Sequence, residues 1–297
     1  MIYGLSDAAV PADRPLSSSW ASVTLRRVPT DLSKYAAVLL DLDGTIYHED
    51  HALPGAVALI RRLQDEGRPY ACLTNSTSSP VRLVERLAGM GVAVDLDHIY
   101  TAAAAACDYV LQLPRGGGGG GGDAKPRVFN LATDGVADML DGLVHWVQTG
   151  GEPCDAVIVG APANVYAAED RRRIALQLLR RKATLVGICA DRVYPSPRGI
   201  EFGAGALSHY LAYAAHVTPV FTGKPQAIFF QELCARLNVA PAACVLIGDN
   251  LESDIAGARA MGMATILTLT GVTRRRDLLG VAEAMRPDAV VEDLTEV

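Results

Sequence analysis

Short runs of consecutive apolar residues alternate along this chain with stretches where apolar residues recur every three or four positions. Unbroken apolar runs suit strands buried on both faces, and the 3.6-residue period suits the helices that cover them. The first run, Ala36 to Leu40, stops at Asp41. A helix is predicted next, with Ala56, Leu59, Ile60 and Leu63 on one face and Gly67 as its stop. A second strand ends at Thr74, and Pro80 opens a helix carrying Val81, Val84, Leu87 and Ala88 inward to a stop near Gly91.

The same alternation returns late in the chain. "PVFTGKP" (219–225) reads as a strand, followed by a helix burying Ala227, Phe230, Cys234 and Leu237. "CVLIGD" repeats the opening design of an apolar run closed by an acid, and "ATILTLTG" is a further strand. Between these halves lies a different block. "RGGGGGGGDAKP" (115–126) reads as a flexible low-complexity loop, with no strand leading into it and no Lys-Ser/Thr after it to make a phosphate loop. Strand-like "RVFNLAT", a helix with Val136, Met139, Leu140, Leu143 and Val147, then "CDAVIVG", a helix near 169–182 and "ATLVGICA" follow. The pattern predicts an α/β fold: a Rossmann-like parallel-sheet core interrupted by a second α/β unit. The expected division is a tail at 1–33, core at 34–110, insert at 111–217 and core again at 218–297.

Composition narrows the class. The chain has 297 residues, half of them hydrophobic and a fifth charged, with a formal net charge of -6. That balance argues against nucleic acid, and the Arg171–Arg173 and Arg274–Arg276 runs read as solvated helix faces. No apolar run approaches the roughly eighteen residues of a membrane span. Six scattered cysteines without a C-x-x-C pair read as reduced, which fits the cytoplasm. The opening thirty residues read as a disordered tail, with an organelle transit peptide as the alternative.

Four predicted strands end in polar signatures: Asp41 and Asp43, Thr74 and Asn75, Gly223 and Lys224, Gly248 and Asp249. In an open parallel sheet, ligands bind at those carboxyl ends. Two carboxylates as close as Asp41 and Asp43 repel, and each raises the other's proton affinity, so a cation or a retained proton must offset them. The set suits phosphoryl transfer to water. Asp41 would attack phosphorus, and Asp43 would protonate the leaving alkoxide and then deprotonate water. Asp41 and Asp249, with a main-chain carbonyl assigned to Asp43, offer the hard oxygens that Mg²⁺ prefers. Lys224, Thr74 and Asn75 would hold the phosphate oxygens. His48 and His51 read as solvated turn residues, and "DLDG" has its glycine too early for a calcium loop.

"DLDGTIY", "LTNSTSSP", "GKP" and "GDNLESDIAGARAMGMATILTLTGVT" resemble, in order, the four motifs of the haloacid dehalogenase superfamily. The resemblance covers roughly residues 35 to 297. It narrows to phosphatases with a large C2-type cap between the second and third motifs, a subgroup including 4-nitrophenyl, phosphoglycolate and pyridoxal phosphatases and bacterial nucleotidases. It implies Asp254 as the acid that orients the metal shell and the lysine. It also implies a substrate loop at "ADRVYPSPRG", with Asp191, Arg192 and Tyr194 as candidate specificity residues and Arg198 as a further cation. The loop departs from the subgroup in Cys189 and Ala190, where an asparagine is common, and in Phe202, where a proline is usual. The expectation is a Mg²⁺-dependent phosphomonoester hydrolase acting on a small metabolite, without nucleic-acid or membrane partners, and with pairing of two copies through the cap left open. The alternatives are a catalytically weak phospho-ligand-binding protein of the same fold and a phosphotransferase or phosphomutase.

Overall fold

The computed structural model describes residues 31–114, 125–161, 169–196 and 199–297. The opening tail, residues 115–124 with the glycine run, and Arg198 lie outside them. The first apolar run forms β1 (Ala37–Asp41), buried at every position. The flap β2 (Tyr47–His48) and β3 (His51–Ala52) follows, then α1 (Ala56–Asp65), β4 (Tyr70–Thr74), α2 (Pro80–Gly89), β5 (Ile99–Thr101) and α3 (Ala102–Gln112).

The second unit contains β6 (Arg127–Leu131), α4 (Asp134–Leu140), β7 (His145–Trp146), β8 (Ala156–Val159), α5 (Glu169–Arg180) and β9 (Thr184–Gly187). Next come the hairpin β10 (Val193–Ser196) and β11 (Gly199–Phe202), α6 (Ala204–Ala215) and β12 (Val220–Phe221). The chain ends with α7 (Ala227–Arg236), β13 (Cys244–Gly248), a π-helical turn at Leu251–Ile255 leading into α8 (Ala256–Ala260), β14 (Ala264–Thr268) and β15 (Ala289–Val291).

Two parallel sheets result. The first has the order β15-β14-β13-β1-β4-β5, with β1 central, and the second the order β12-β9-β8-β6-β7. Alternation along β1 divides its side chains between two helical layers. Val38 and Leu40 join Leu59, Ile60 and Leu63 of α1 and Leu83 and Leu87 of α2. Ala37 and Leu39 join Phe229, Phe230 and Leu233 of α7. Each leucine so enclosed contributes roughly 2 kcal/mol. The second layer does not stop at the first sheet. Through Ala103, Ala106 and Val110 of α3 it is continuous with Val128, Ile158 and Val186 of the second sheet.

Four elements differ from the sequence pattern. In α7 the buried residues are Phe229, Phe230, Leu233 and Cys234, while Ala227 is exposed. "PVFTGKP" is no strand of the first sheet: Val220 and Phe221 pair with Val186 and Gly187 at the edge of the second. A two-residue edge strand carries too little periodicity to reveal its sheet. In α2 the buried residues are Leu83 and Leu87, while Val81 is exposed. The helix expected to carry Val136 through Val147 ends at Leu140, because the chain must turn to lay His145 and Trp146 beside β6. Leu143 is exposed in that turn, and Val147 is buried beyond it.

Candidate active site

β1, β4 and β13 lie side by side and end at the same level, so Asp41, Thr74 and Asp249 converge at the carboxyl edge of the first sheet. Lys224 reaches the same place from outside that sheet. Asp41, Lys224, Asp249 and Asp254 are all almost fully buried. Lys224 Nζ donates to Asp41 Oδ1 and, at 2.6 Å, to Asp254 Oδ1. Asp254 Oδ2 accepts from Asn250 N at 3.1 Å, so both its oxygens are engaged. Asp249 Oδ2 accepts from Val272 N at 2.5 Å, and its carbonyl accepts from Thr273 N at 3.1 Å.

Burial shifts these groups. It pushes Asp41 well above the usual carboxylate range, opposed by Lys224 and reinforced by Asp254 and Asp249. It pushes Asp249 to about 6, with Asp254 adding to the effect. Burial alone would loosen the proton of Lys224, but the Asp254 and Asp41 carboxylates outweigh it and raise the ammonium's pKa. The buried Cys72 thiol, beside Asp41, is pushed to about 12.

One carboxylate oxygen from each of Asp41, Asp249 and Asp254 lies within 4.8 Å of the others. Three buried carboxylates therefore face one ammonium, an excess of negative charge that a hard divalent cation would balance. The donors fit such an ion: they are oxygens only, and Asp249 keeps Oδ1 clear of the hydrogen bond to Val272. Asp43 stands apart from this cluster. Although it lies two residues from Asp41, it is exposed.

The loop after β4 completes the rim. Thr74 is buried, and its Oγ1 accepts from Ser76 N at 3.1 Å, leaving the hydroxyl hydrogen free to donate elsewhere. Asn75 Nδ2 donates to Lys224 O at 3.0 Å and approaches Asp191 Oδ2 at 3.3 Å, while Asn75 Oδ1 is buried without a partner. Asp191 thus meets the site from the second unit. Arg192 is exposed one residue on, and Tyr194 sits on the β10–β11 hairpin opposite Glu201.

A strap after β14 has no counterpart in the residue-type argument. Thr270 Oγ1 donates to Gly44 O at 2.6 Å and pairs with Thr268 Oγ1 at 2.8 Å. Gly44 and Gly271 press on Asp249 from two sides. A Cβ on Gly44, whose φ is +82°, would lie 2.6 Å from Asp249 Oδ2, and one on Gly271 would lie 2.0 Å from it. Glycine at 271 and threonine at 270 were the available signals, but the contacts to Asp249 come from main-chain N–H groups that any residue carries.

The family profile described as haloacid dehalogenase-like hydrolase matches residues 38–143, and one described as HAD-hydrolase-like matches 221–297. The chain is 27% identical over 266 residues to the 5'-nucleotidase YutF of Bacillus subtilis, covering 89% of this chain and 98% of the relative. Its structure is similar to that of a 4-nitrophenylphosphatase from Thermotoga maritima, with a TM-score of 0.78, 26% identity, and coverage of 89% and 97% of the two chains. It is also similar to a glycerol phosphate phosphatase from Mycobacterium tuberculosis, crystallised with magnesium and with calcium. For the magnesium complex the TM-score is 0.77 at 25% identity, over 89% of this chain and 76% of that one.

Proposed function

Since this chain belongs to the haloacid dehalogenase-like hydrolases, we propose that it is a Mg²⁺-dependent phosphatase that hydrolyses small phosphomonoesters through an aspartyl phosphate. The observation that carries this reading is the unequal placing of two neighbouring acids. Asp41 is buried against Lys224, and Asp43, two residues on, is exposed. A carboxylate nucleophile needs a cation such as Lys224 beside it, and a proton carrier needs freedom to reach the leaving group and water.

Asp41 attacks phosphorus with its free carboxylate oxygen, and the bond from phosphorus to the ester oxygen breaks. Asp43 gives its proton to the leaving alkoxide. It then takes a proton from a water molecule, which attacks the aspartyl phosphate and returns Asp41 with release of inorganic phosphate. Thr74 donates its hydroxyl to a phosphate oxygen. Lys224, fixed by Asp254, fixes Asp41 in turn and offsets charge on the incoming phosphate. The Asp41 and Asp249 carboxylates, with the main-chain carbonyl of Asp43, would hold Mg²⁺, which supplies the positive charge that lets a dianionic phosphate approach a carboxylate.

The unit carrying the second sheet serves as a cap over this site. Its loop at 190–199 is the candidate reader of the leaving group. The names 5'-nucleotidase, 4-nitrophenylphosphatase and glycerol phosphate phosphatase among the similar proteins favour esters of uncharged hydroxyl-bearing groups as the first substrates to try. The test is a panel of nucleoside, glycerol and sugar phosphates and 4-nitrophenyl phosphate, with Mg²⁺, against wild type and Asp41→Asn. Wild type should turn over several esters, and the variant, lacking the nucleophile, none at a measurable rate. A panel without turnover, or Asp41→Asn retaining a sizeable fraction of activity, would overturn the assignment.

A further inference from the structure

The residue that holds the nucleophile is mounted on the second unit. β12 is an edge strand of the second sheet, and only Thr222 and Gly223 separate it from Lys224. Thr222 N donates to Gly187 O at 3.1 Å and Thr222 Oγ1 to Ile188 O at 3.3 Å, extending the pairing with β9 to the last residue but one before the lysine. Three residues past Ile188, the chain of β9 presents Asp191. There Asp191 O accepts from Gly205 N at 3.0 Å, which ties this position to the first turn of α6.

Asn75 bridges the two arms. Its amide nitrogen donates to Lys224 O at 3.0 Å and to Asp191 Oδ2 at 3.3 Å, with Asp191 Oδ1 at 3.4 Å. Both amide hydrogens are accounted for by these acceptors, one on the lysine's own backbone and one on the second unit. The space around the bridge is tight: a Cβ on Gly223 would lie 2.6 Å from Asn75 Oδ1. The rest of the loop after β4 is gripped from the same side. Thr133 Oγ1 donates to Thr77 O at 2.8 Å, and Thr77 Oγ1 to Ala161 O at 3.3 Å.

We propose that Asp191 is a positioning residue for Lys224, acting through the Asn75 amide, so that docking of the second unit sets the lysine that holds Asp41. The proposal rests on the phosphatase reading above and assigns Asp191 a role other than contact with the leaving group. When the unit is seated, Asp191 draws one amide hydrogen of Asn75, and the other pins the Lys224 carbonyl. When it lifts, the Asn75 amide is released and β12 carries the lysine's backbone with it. The step links closure to chemistry without any new contact to substrate.

The experiment uses the full chain and four variants: Asp191→Ala, Asp191→Asn, Asn75→Ala and the double alanine variant. Steady-state rates are measured on 4-nitrophenyl phosphate and on one polyol or nucleoside phosphate, and thermal melts are recorded for all. Asp191→Ala should lower kcat by about tenfold on both esters alike, with KM changed much less. Asp191→Asn keeps a carbonyl oxygen as acceptor and should recover most of that loss. The double variant should be no slower than Asn75→Ala alone, and the melting shifts of the two single variants should be non-additive. A loss confined to the polyol or nucleoside ester would make Asp191 a leaving-group contact and overturn the proposal, as would additive losses in rate and melting. Absence of wild-type turnover would defeat the phosphatase reading instead, and the melting cycle would still decide whether Asp191 and Asn75 act as one unit.

Discussion

Replacing Asp249 by Asn should make the metal-free protein more stable at neutral pH, although it removes a proposed metal ligand. Burial and Asp254 push the Asp249 carboxyl from the ordinary 3.8 to about 6. A folded-state value above the unfolded one means that the native protein holds this proton more tightly than the unfolded chain does. The associated stability is fully present below pH 4 and is lost as pH rises through about 6. A difference of roughly 2 pK units corresponds to about 3 kcal/mol between the two limits. Asparagine carries no charge, so the variant should avoid that loss at pH 7.5. It retains an oxygen to accept from Val272 N, but an uncharged acceptor gives up about 1 kcal/mol of that bond. The net expectation is a gain of about 2 kcal/mol, or roughly 4 °C in melting temperature for a chain of this size. Thermal melts in chelator from pH 5 to 8 would measure it. The wild type should lose stability across that range more steeply than the variant. Addition of Mg²⁺ at pH 7.5 should raise the wild type and leave the variant nearly unmoved. A variant that melts below the wild type in chelator at pH 7.5 would refute the charge-excess argument for the site.

Two other substitutions test the supports. Lys224→Met would leave Asp41 and Asp254 buried without their ammonium, so it should cost about 3 kcal/mol in denaturant unfolding as well as turnover; unchanged stability would mean that these acids are protonated in the native state. Gly271→Ala places a methyl group where the Asp249 carboxylate sits, so it should raise the Mg²⁺ concentration for half-maximal activity about tenfold or more, with a smaller effect on folding; an unchanged metal requirement would show that Asp249 is not held where the strap holds it.

The convergence of the candidate residues was legible because strand ends carry their polar side chains in the residue pattern itself. Apolar runs that stop at Asp41, Thr74 and Asp249 mark three neighbouring strands, and the structure brings those ends together. The fold class was legible for the same reason, since buried parallel strands leave unbroken apolar runs. The fourth strand was assigned to the wrong sheet because Val220 and Phe221 would suit either edge, and only pairing with Val186 and Gly187 decides. α3 gave no periodic signal: five successive alanines present the same small apolar surface on every side, which is what lets the helix pack between two sheets. The strap at 268–273 was missed as a support of Asp249 because the donors to it are main-chain N–H groups, and only Thr270 and Gly271 hinted at it. Exposure separates Asp41 from Asp43, and spacing alone could not foresee it.

The position of β1 has a consequence for the order in which the molecule is made. β1 is completed by residue 41, and β4, which pairs along one of its edges, follows within about thirty residues. The strand for its other edge, β13, begins only at Cys244. At the roughly 5–20 residues per second of ribosomal synthesis, that edge of Ala37–Asp41 waits some 10–40 s for its partner. An apolar strand with an open edge is a template for pairing with other chains. During that interval the whole second sheet, Arg127 to Phe221, is synthesised. The inserted unit is therefore available to fold before the unit that contains Asp41 can close, and the hazard of misassembly falls on the central strand of the first sheet.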